Sequence, residues 1–188
     1  MTTHTLLDTA AAVEQLRAGH IIAYPTEAVF GLGCDPANES AVRKLLALKG
    51  RPESAGFVLI ASDFSQVEPW IAETDPALLE RAMQSWPGPV TWLFPRAAGV
   101  PDYVAGDHAT VAVRITAHEP SRALCSAFGS ALISSSANHT AAEPARSAGE
   151  VEDYFGHFIG GILAGPLGES ERPSEIRDLV TGKVIRKG

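Results

Sequence analysis

Apolar residues along the chain come in short bursts whose spacing switches between a helical and a strand period, punctuated by glycine, proline and small polar residues. Val13 and Leu16 share one helical face, with Asp8 or Thr9 placed to cap that helix and Gly19 to end it. His20 to Tyr24 then forms a mainly apolar run, the pattern of a strand buried on both faces. Val42, Leu45, Leu46 and Lys49 return to helical spacing behind Asn38 or Ser40, and Gly50 with Pro52 supplies the stop. Phe57 to Ala61 reads as a strand, Ser62 to Ser65 as a cap region, and Val67 to Ile71 as a short helix. Asp75-Pro76 opens a helix bearing Leu78, Leu79, Ala82 and Met83, closed by Trp86-Pro87-Gly88-Pro89. Val90 to Phe94 and Thr110 to Ile115 are strands, the second alternating Val111, Val113 and Ile115 with Ala112 and Arg114.

Further on, Glu119-Pro120 starts a helix through Leu124 and Phe128 that Gly129 stops, and Ala131 to Ser135 is a strand running into a Ser-Ser-Ser-Ala-Asn segment. Thr140 to Ser147 has the composition of a mobile loop. Ser147 is placed to cap a helix through Val151 and Phe155, and Phe158 to Ala164 is strand-like but weakened by Gly160 and Gly161. After a flexible stretch from Gly165 to Pro173, Ile176 to Val180 and Lys183 to Arg186 make a hairpin around Thr181-Gly182. Helices and strands alternate, yet the hairpin and the proline-rich connections argue against a purely parallel sheet. The expectation is a twisted open mixed α/β sheet with flanking helices, one domain over residues 1–188, without internal repeats.

One strand end departs from ordinary chemistry. Pro25 removes a backbone donor and fixes φ, so the strand from His20 must end or bend there, and Gly31 and Gly33 free the backbone beside bulky Val29, Phe30 and Leu32. The polar pair Thr26-Glu27 therefore sits at a rigid corner, and strand ends of open α/β sheets are where ligands bind. A plain tight turn accounts for the same residues.

The 188 residues are 45 % hydrophobic and 20 % charged, which suits one globular core and excludes a disordered chain. A net charge of -7 argues against a surface that embraces nucleic acid everywhere, although it leaves room for a local basic cleft. Cys34 and Cys125 lie far apart in apolar surroundings, the pattern of reduced, packed thiols. The polar N-terminus lacks a basic-then-apolar leader and no apolar run reaches about 18 residues, so the expected setting is the cytoplasm, with no membrane span.

Four polar groupings carry candidate chemistry. Lys49-Gly50-Arg51 joins a compact charge to a planar fork of donors, which suits a polyphosphate, though cations at a helix C-terminus also complement its dipole. Ser134 to Asn138 places hydroxyls, an amide and backbone N–H groups at a strand end, fit for a phosphate or base and equally for a turn. Arg114 stands alone on an apolar strand and needs an anionic partner, either a side chain such as Asp35 or a substrate carboxylate. Ser174 and Arg186 flank the last hairpin. The histidines at 4, 20, 108, 118, 139 and 157 show no ligand spacing, so no tightly bound metal is expected, and there is no Gly-x-Ser-x-Gly elbow.

Taken together and in order, YPTEAVFGLGCD, the Lys49-Gly50-Arg51-Pro52 run, WPGPVT, AVRIT, SSSAN and the closing PSEIRD and VIRKG resemble the YrdC-type threonylcarbamoyl-AMP synthases, in the short single-domain form. That resemblance spans nearly the whole chain. It implies a YrdC-like fold with a concave basic cleft and a reaction joining L-threonine, bicarbonate and ATP into threonylcarbamoyl-AMP with release of pyrophosphate. The product serves threonylcarbamoylation of tRNA adenosine 37, so the enzymes that transfer the group are implied partners. Mg2+ is implied as the companion of ATP. Lys49 and Arg51 match the phosphate-binding, catalytic cations; Ser136, Asn138 and Arg186 match nucleotide-binding positions; Thr26, Arg114 and Ser174 match the threonine pocket. Ala55-Gly56-Phe57 stands where many longer members have His-Pro-Leu, which leaves the details of amino-acid recognition open. A second reading, a non-catalytic RNA-binding or ribosome-maturation module, would use the same cleft for backbone phosphates.

Overall fold

The computed structural model describes residues 6–170 and 172–188, so the reading of the extreme N-terminus, His4 included, lies outside the described residues. In chain order the elements are β1 (Leu6–Leu7), α1 (Thr9–Arg17), β2 (Ile22–Pro25), β3 (Phe30–Gly33), α2 (Glu39–Lys49), β4 (Val58–Ala61), α3 (Pro76–Met83), β5 (Val90–Pro95), α4 (Asp102–Ala105), β6 (Thr110–Ile115), α5 (Glu119–Phe128), β7 (Leu132–Ser136), α6 (Ala148–Phe155), β8 (Ile162–Leu163), β9 (Glu175–Asp178) and β10 (Val184–Arg186). The local signals act as expected. Asp8, Asn38, Asp75 and Ser147 each accept a backbone N–H at the start of α1, α2, α3 and α6, and Gly50 and Gly129 end α2 and α5 in the left-handed region.

Among the described residues the strands form one mixed sheet in the order β1-β8-β2-β3-β7-β4-β6-β5-β9-β10. β4 runs parallel to β6 and β5 to β9, whereas β7 is antiparallel to both its neighbours. It pairs with β4 through Leu132, Ile133 and Ser134 and with β3 through Ser135 and Ser136, so the partner changes along the strand.

Alternation along the strands sorts two cores. Ile22, Tyr24, Ile60 and Leu132 meet Val13, Leu16 and Leu124 from α1 and α5 on one face. Ala23, Leu59, Ala61 and Ile133 face the larger core, to which α2 supplies Val42, Leu45 and Leu46 and α6 supplies Val151 and Phe155.

Several expected boundaries differ. Phe30–Gly33, read as backbone freedom after the corner, is a strand paired residue by residue with β2, so Pro25 closes one side of a hairpin. The helix expected near Val67 to Ile71 is two short 3₁₀ turns, Phe64–Gln66 and Glu68–Trp70. From Phe158 to Ala164 only Ile162–Leu163 is strand, because Gly161 turns to φ 148° beside Leu7. Thr140 to Ser147 is irregular but tied down, with Ala145 buried and bonded to Ala137 and Phe30.

Candidate active site

The β2–β3 hairpin supplies the corner. Its turn is closed twice, by Thr26 N–H and Thr26 Oγ1 both donating to the Val29 carbonyl, at 3.1 and 2.7 Å. This places Glu27 at the tip. Its carboxylate accepts from Thr116 Oγ1 at 2.7 Å and lies 3.3 Å from Arg114 Nη2. Both partners are largely buried, with 8 % of the Arg114 side chain and 18 % of Glu27 exposed. Arg114 thus pairs with Glu27 and not with Asp35, whose side chain instead accepts the Ala37 N–H in its own turn. Among the described residues Arg114 Nε is buried with no acceptor, a donor left over after Glu27 has been served.

The other end of the site grows from β7 and the last turn of α2. Gly50, at φ 58°, ends the helix and leaves Lys49 buried at 7 % exposure. Lys49 Nζ donates to the Ser136 and Asn138 carbonyls, the latter at 2.9 Å, while Thr140 Oγ1 donates back to the Lys49 carbonyl at 2.8 Å. Ser136 Oγ donates to Asn138 Oδ1 at 2.6 Å, and Asn138 Nδ2 holds the His139 and Ala142 carbonyls. Burial, reinforced by the Arg51 charge, pulls the Lys49 pKa down to about 8.

Arg51 donates to the Ala55 and Gly56 carbonyls at 3.1 and 2.7 Å and stacks over Phe57, 5.3 Å from the ring centre. The Ala-Gly-Phe stretch is therefore the seat of this arginine. Gly56 cannot carry a side chain there, since it sits at φ 56° with the Ala105 carbonyl oxygen 2.6 Å from where a Cβ would stand. Arg186 Nη2 donates to the Ser174 carbonyl at 2.7 Å, and Ser174 Oγ lies 3.2 Å from Thr91 Oγ1. Burial, then the Arg114 charge, lowers the Arg186 pKa.

A cleft of about 440 Å³ joins these groups. Thr26, Arg51, Arg114, Ser136, Ser174 and Arg186 line it. Lys49 and Asn138 do not; they stand behind the wall, joined to it through Ser136. Glu27 and Arg172 also line the cleft, and Thr116 supports it; the sequence placed Glu27 at a ligand-binding corner without naming its partner and gave Arg172 and Thr116 no role. The requirement for an anion beside Arg114 was a signal for Glu27, but choosing it over Asp35 needs the hairpin register.

Chemically, the cleft offers cations at one end whose partners are neutral carbonyls, and at the other a guanidinium coupled to a carboxylate. The Ser136 hydroxyl faces an amide oxygen, with no histidine or carboxylate hydrogen-bonded to activate it. The Cys34 and Cys125 thiols are buried, which pushes each up to about 12.

The Sua5/YciO/YrdC family model, described as telomere recombination, matches residues 14–188. The chain belongs to this family. Named relatives agree: a threonylcarbamoyl-AMP synthase of Halorhodospira halophila is 51 % identical over 176 residues, covering 94 % of this chain and 92 % of the relative. That of Coxiella burnetii is 49 % identical over 175 residues, covering 93 % and 94 %. Among solved members of the Sua5/YciO/YrdC family, P. abyssi Sua5 complexed with L-threonine superposes with a TM-score of 0.84 at 31 % identity over 90 % of this chain. The chain spans 50 % of that longer protein. E. coli YciO gives the same TM-score at 25 % identity, with 96 % of this chain and 88 % of YciO covered. No helix among the described residues is long and apolar enough to cross a membrane.

Proposed function

We propose that this protein is an L-threonylcarbamoyladenylate synthase, condensing L-threonine, bicarbonate and ATP into threonylcarbamoyl-AMP and pyrophosphate in the cytoplasm. The product is destined for the enzymes that modify adenosine 37 of tRNA. The observation that carries the reading is the meeting of separated segments in one cleft, where Arg51 is held by carbonyls, Lys49 stands behind the wall at Ser136, and Arg114 is coupled to Glu27. The synthase name of relatives sharing about half of their residues, and the threonine bound by P. abyssi Sua5, support it.

In this reading Arg114 takes the threonine carboxylate, assisted by Thr26 and Ser174. Arg51 and Arg186 meet the triphosphate from the cleft wall while Lys49 adds its charge from behind it, and Ser136, braced by Asn138, lies beside the nucleotide. The threonine amine captures bicarbonate to form a carbamate with loss of water, and a carbamate oxygen attacks the α-phosphorus, displacing pyrophosphate. No protein nucleophile is required. The chain accelerates the step by holding the two reactants in line and stabilising charge on the phosphates. Mg2+ would accompany ATP; among the described residues of the cleft wall the acidic side chain is Glu27, which is already engaged by Arg114 and Thr116. The metal supplies further charge neutralisation.

The test is direct. Purified protein with ATP, Mg2+, threonine and bicarbonate is expected to release pyrophosphate and form the mixed anhydride, both only when threonine is present. Threonine-independent pyrophosphate, or none, overturns the reading. RNA binding that weakens steeply with salt and accompanies no synthesis would favour the binding-module reading instead.

A further inference from the structure

We propose that His118 is a positioning residue which, as the imidazolium, clamps segment 165–170 onto the Thr26-Glu27 corner and thereby tunes how tightly the amino-acid end of the cleft holds its substrate. The second half of this statement rests on the threonine reading above; the clamp itself does not.

The geometry counts protons. His118 stands at the N-cap of α5, its Nδ1 3.1 Å from Ser121 Oγ and its Nε2 3.1 Å from the Pro166 carbonyl oxygen. Ser121 Oγ also sits 2.6 Å from the Pro25 carbonyl oxygen. A carbonyl only accepts, so the single hydroxyl proton of Ser121 points at Pro25 and its oxygen receives from His118 Nδ1–H. Pro166 likewise only accepts, so Nε2 must carry a proton too. All three hydrogen bonds exist together only when the ring is doubly protonated. A neutral ring has one N–H, so one of the three bonds is lost: the Nδ1–H tautomer opens the Pro166 contact, and the Nε2–H tautomer keeps Pro166 but loses the donation to Ser121, which stays on Pro25 or turns to the ring and releases it.

What the clamp holds is a wall of the cleft. Gly168 N–H donates to the Thr26 carbonyl and Ser170 N–H to the Glu27 carbonyl, both at 3.0 Å. Gly168 lies so close that a Cβ would stand 2.7 Å from the Glu27 carbonyl oxygen, and Ser170 lines the cleft. Glu27 is the residue that pairs with Arg114, and Thr26 closes the turn that carries it. Loosening the segment therefore frees the backbone on which the amino-acid pocket is built.

The groups facing the ring pull in opposite directions. Burial is the largest influence and lowers the His118 pKa; Glu27 from the corner, the Pro166 carbonyl and Glu119 from α5 favour the cation, while Arg114 from β6 opposes it. The N-terminus of α5 opposes it as well. With its pKa below the ordinary histidine value, the ring is mostly neutral near neutrality and the clamp completes on the acid side.

The experiment follows the His118 ring by NMR in the ligand-free wild-type protein between about pH 5 and 8, beside amide exchange at Gly168 and Ser170 corrected for intrinsic rates. Protection of the two amides is expected to fall severalfold along the His118 titration. In His118→Gln, whose side-chain amide donates to Pro166 at every pH, protection becomes independent of pH. Protection that ignores the titration, or a His118→Gln protein that keeps the wild-type profile, overturns the clamp. The wild-type measurement stands even if the variant does not fold. Steady-state kinetics then read the second half: the KM for threonine rises along the same titration, on the order of three- to tenfold for about one hydrogen bond, with kcat unchanged, and is flat in His118→Gln. A clamp that titrates without moving this KM overturns the link to the substrate. Amide exchange needs no threonine, so failure of the clamp and failure of the proposed activity remain distinguishable.

Discussion

The two ends of the cleft solve the problem of a buried cation in opposite ways. At Arg114 the charge is answered by a carboxylate: Glu27 comes from a distant hairpin and is itself steadied by Thr116. At Arg51, and at Lys49 behind the cleft wall, it is answered by peptide carbonyls, with the Phe57 ring under Arg51, and among the described residues no carboxylate lies in ion-pair range of either. A carbonyl satisfies a donor without cancelling its charge, so the lysine end keeps its positive field and the arginine end does not. The pKa pattern fits, since Lys49 is held below its usual value by burial and by Arg51 with no acid to restore it. An end with net charge suits a polyanion. An end with a balanced pair suits a zwitterion, whose own two charges can exchange with it.

Removing the charge at the uncompensated end is expected to give the largest effect. Lys49→Met should lower kcat/KM for ATP by about a hundred- to a thousandfold in a pyrophosphate-release assay, the range for losing one group that stabilises transition-state charge. Stability should change little, because the loss of a donor for the Ser136 and Asn138 carbonyls is offset by removing a buried charge; a Tm within about 4 °C of wild type is expected. Full activity in this variant would break the comparison at its stronger end.

The balanced end should behave the other way round. Arg114→Gln leaves the Glu27 carboxylate largely buried without its cation and is expected to cost about 3 kcal/mol of stability, read by denaturant unfolding. It should also raise the KM for threonine on the order of ten- to a hundredfold. Adding Glu27→Gln to Arg114→Gln removes the orphaned charge, so stability should recover while the KM stays high. If stability and KM recover together, the pair serves only the fold.

How much of this was legible beforehand depended on range. The caps at Asp8, Asn38, Asp75 and Ser147 and the stops at Gly50 and Gly129 act within a turn of their own residues, and each was readable from its immediate neighbours. Strand β3 was not. It carries two glycines in four residues, and Gly33 is required because the Tyr24 ring would stand 2.7 Å from a Cβ there, a demand made by residues outside the strand. β1 and β8, two residues each, exist through pairing, β8 lying between β1 and β2. At the site, residue types were informative and partners were not. Arg114 announced its need for an anion, but only the register of β2 on β3 puts Glu27, and not Asp35, within reach. The Lys49 contacts are with backbone carbonyls, which every residue owns, so no side-chain pattern could have named them.

The smallest expected effect separates the two ends by pH. Lys49 in the free protein holds its proton up to about 8, so the charge offered to a triphosphate is present below that pH and is lost as pH rises through it. ATP affinity, measured by calorimetry without threonine, should therefore weaken on the order of tenfold between about pH 7 and 9. The stability term runs in the opposite sense. Because the lysine titrates lower when folded than when unfolded, the folded state binds fewer protons between about 8 and the ordinary lysine value, so Lys49 penalises folding less as pH climbs through that window. Lys49→Arg, which does not titrate in this range, should flatten both profiles. If the pH dependence of ATP affinity survives that substitution, the titrating charge belongs to another group, and the contrast between the reserved and the balanced cation must be carried by Arg51 alone.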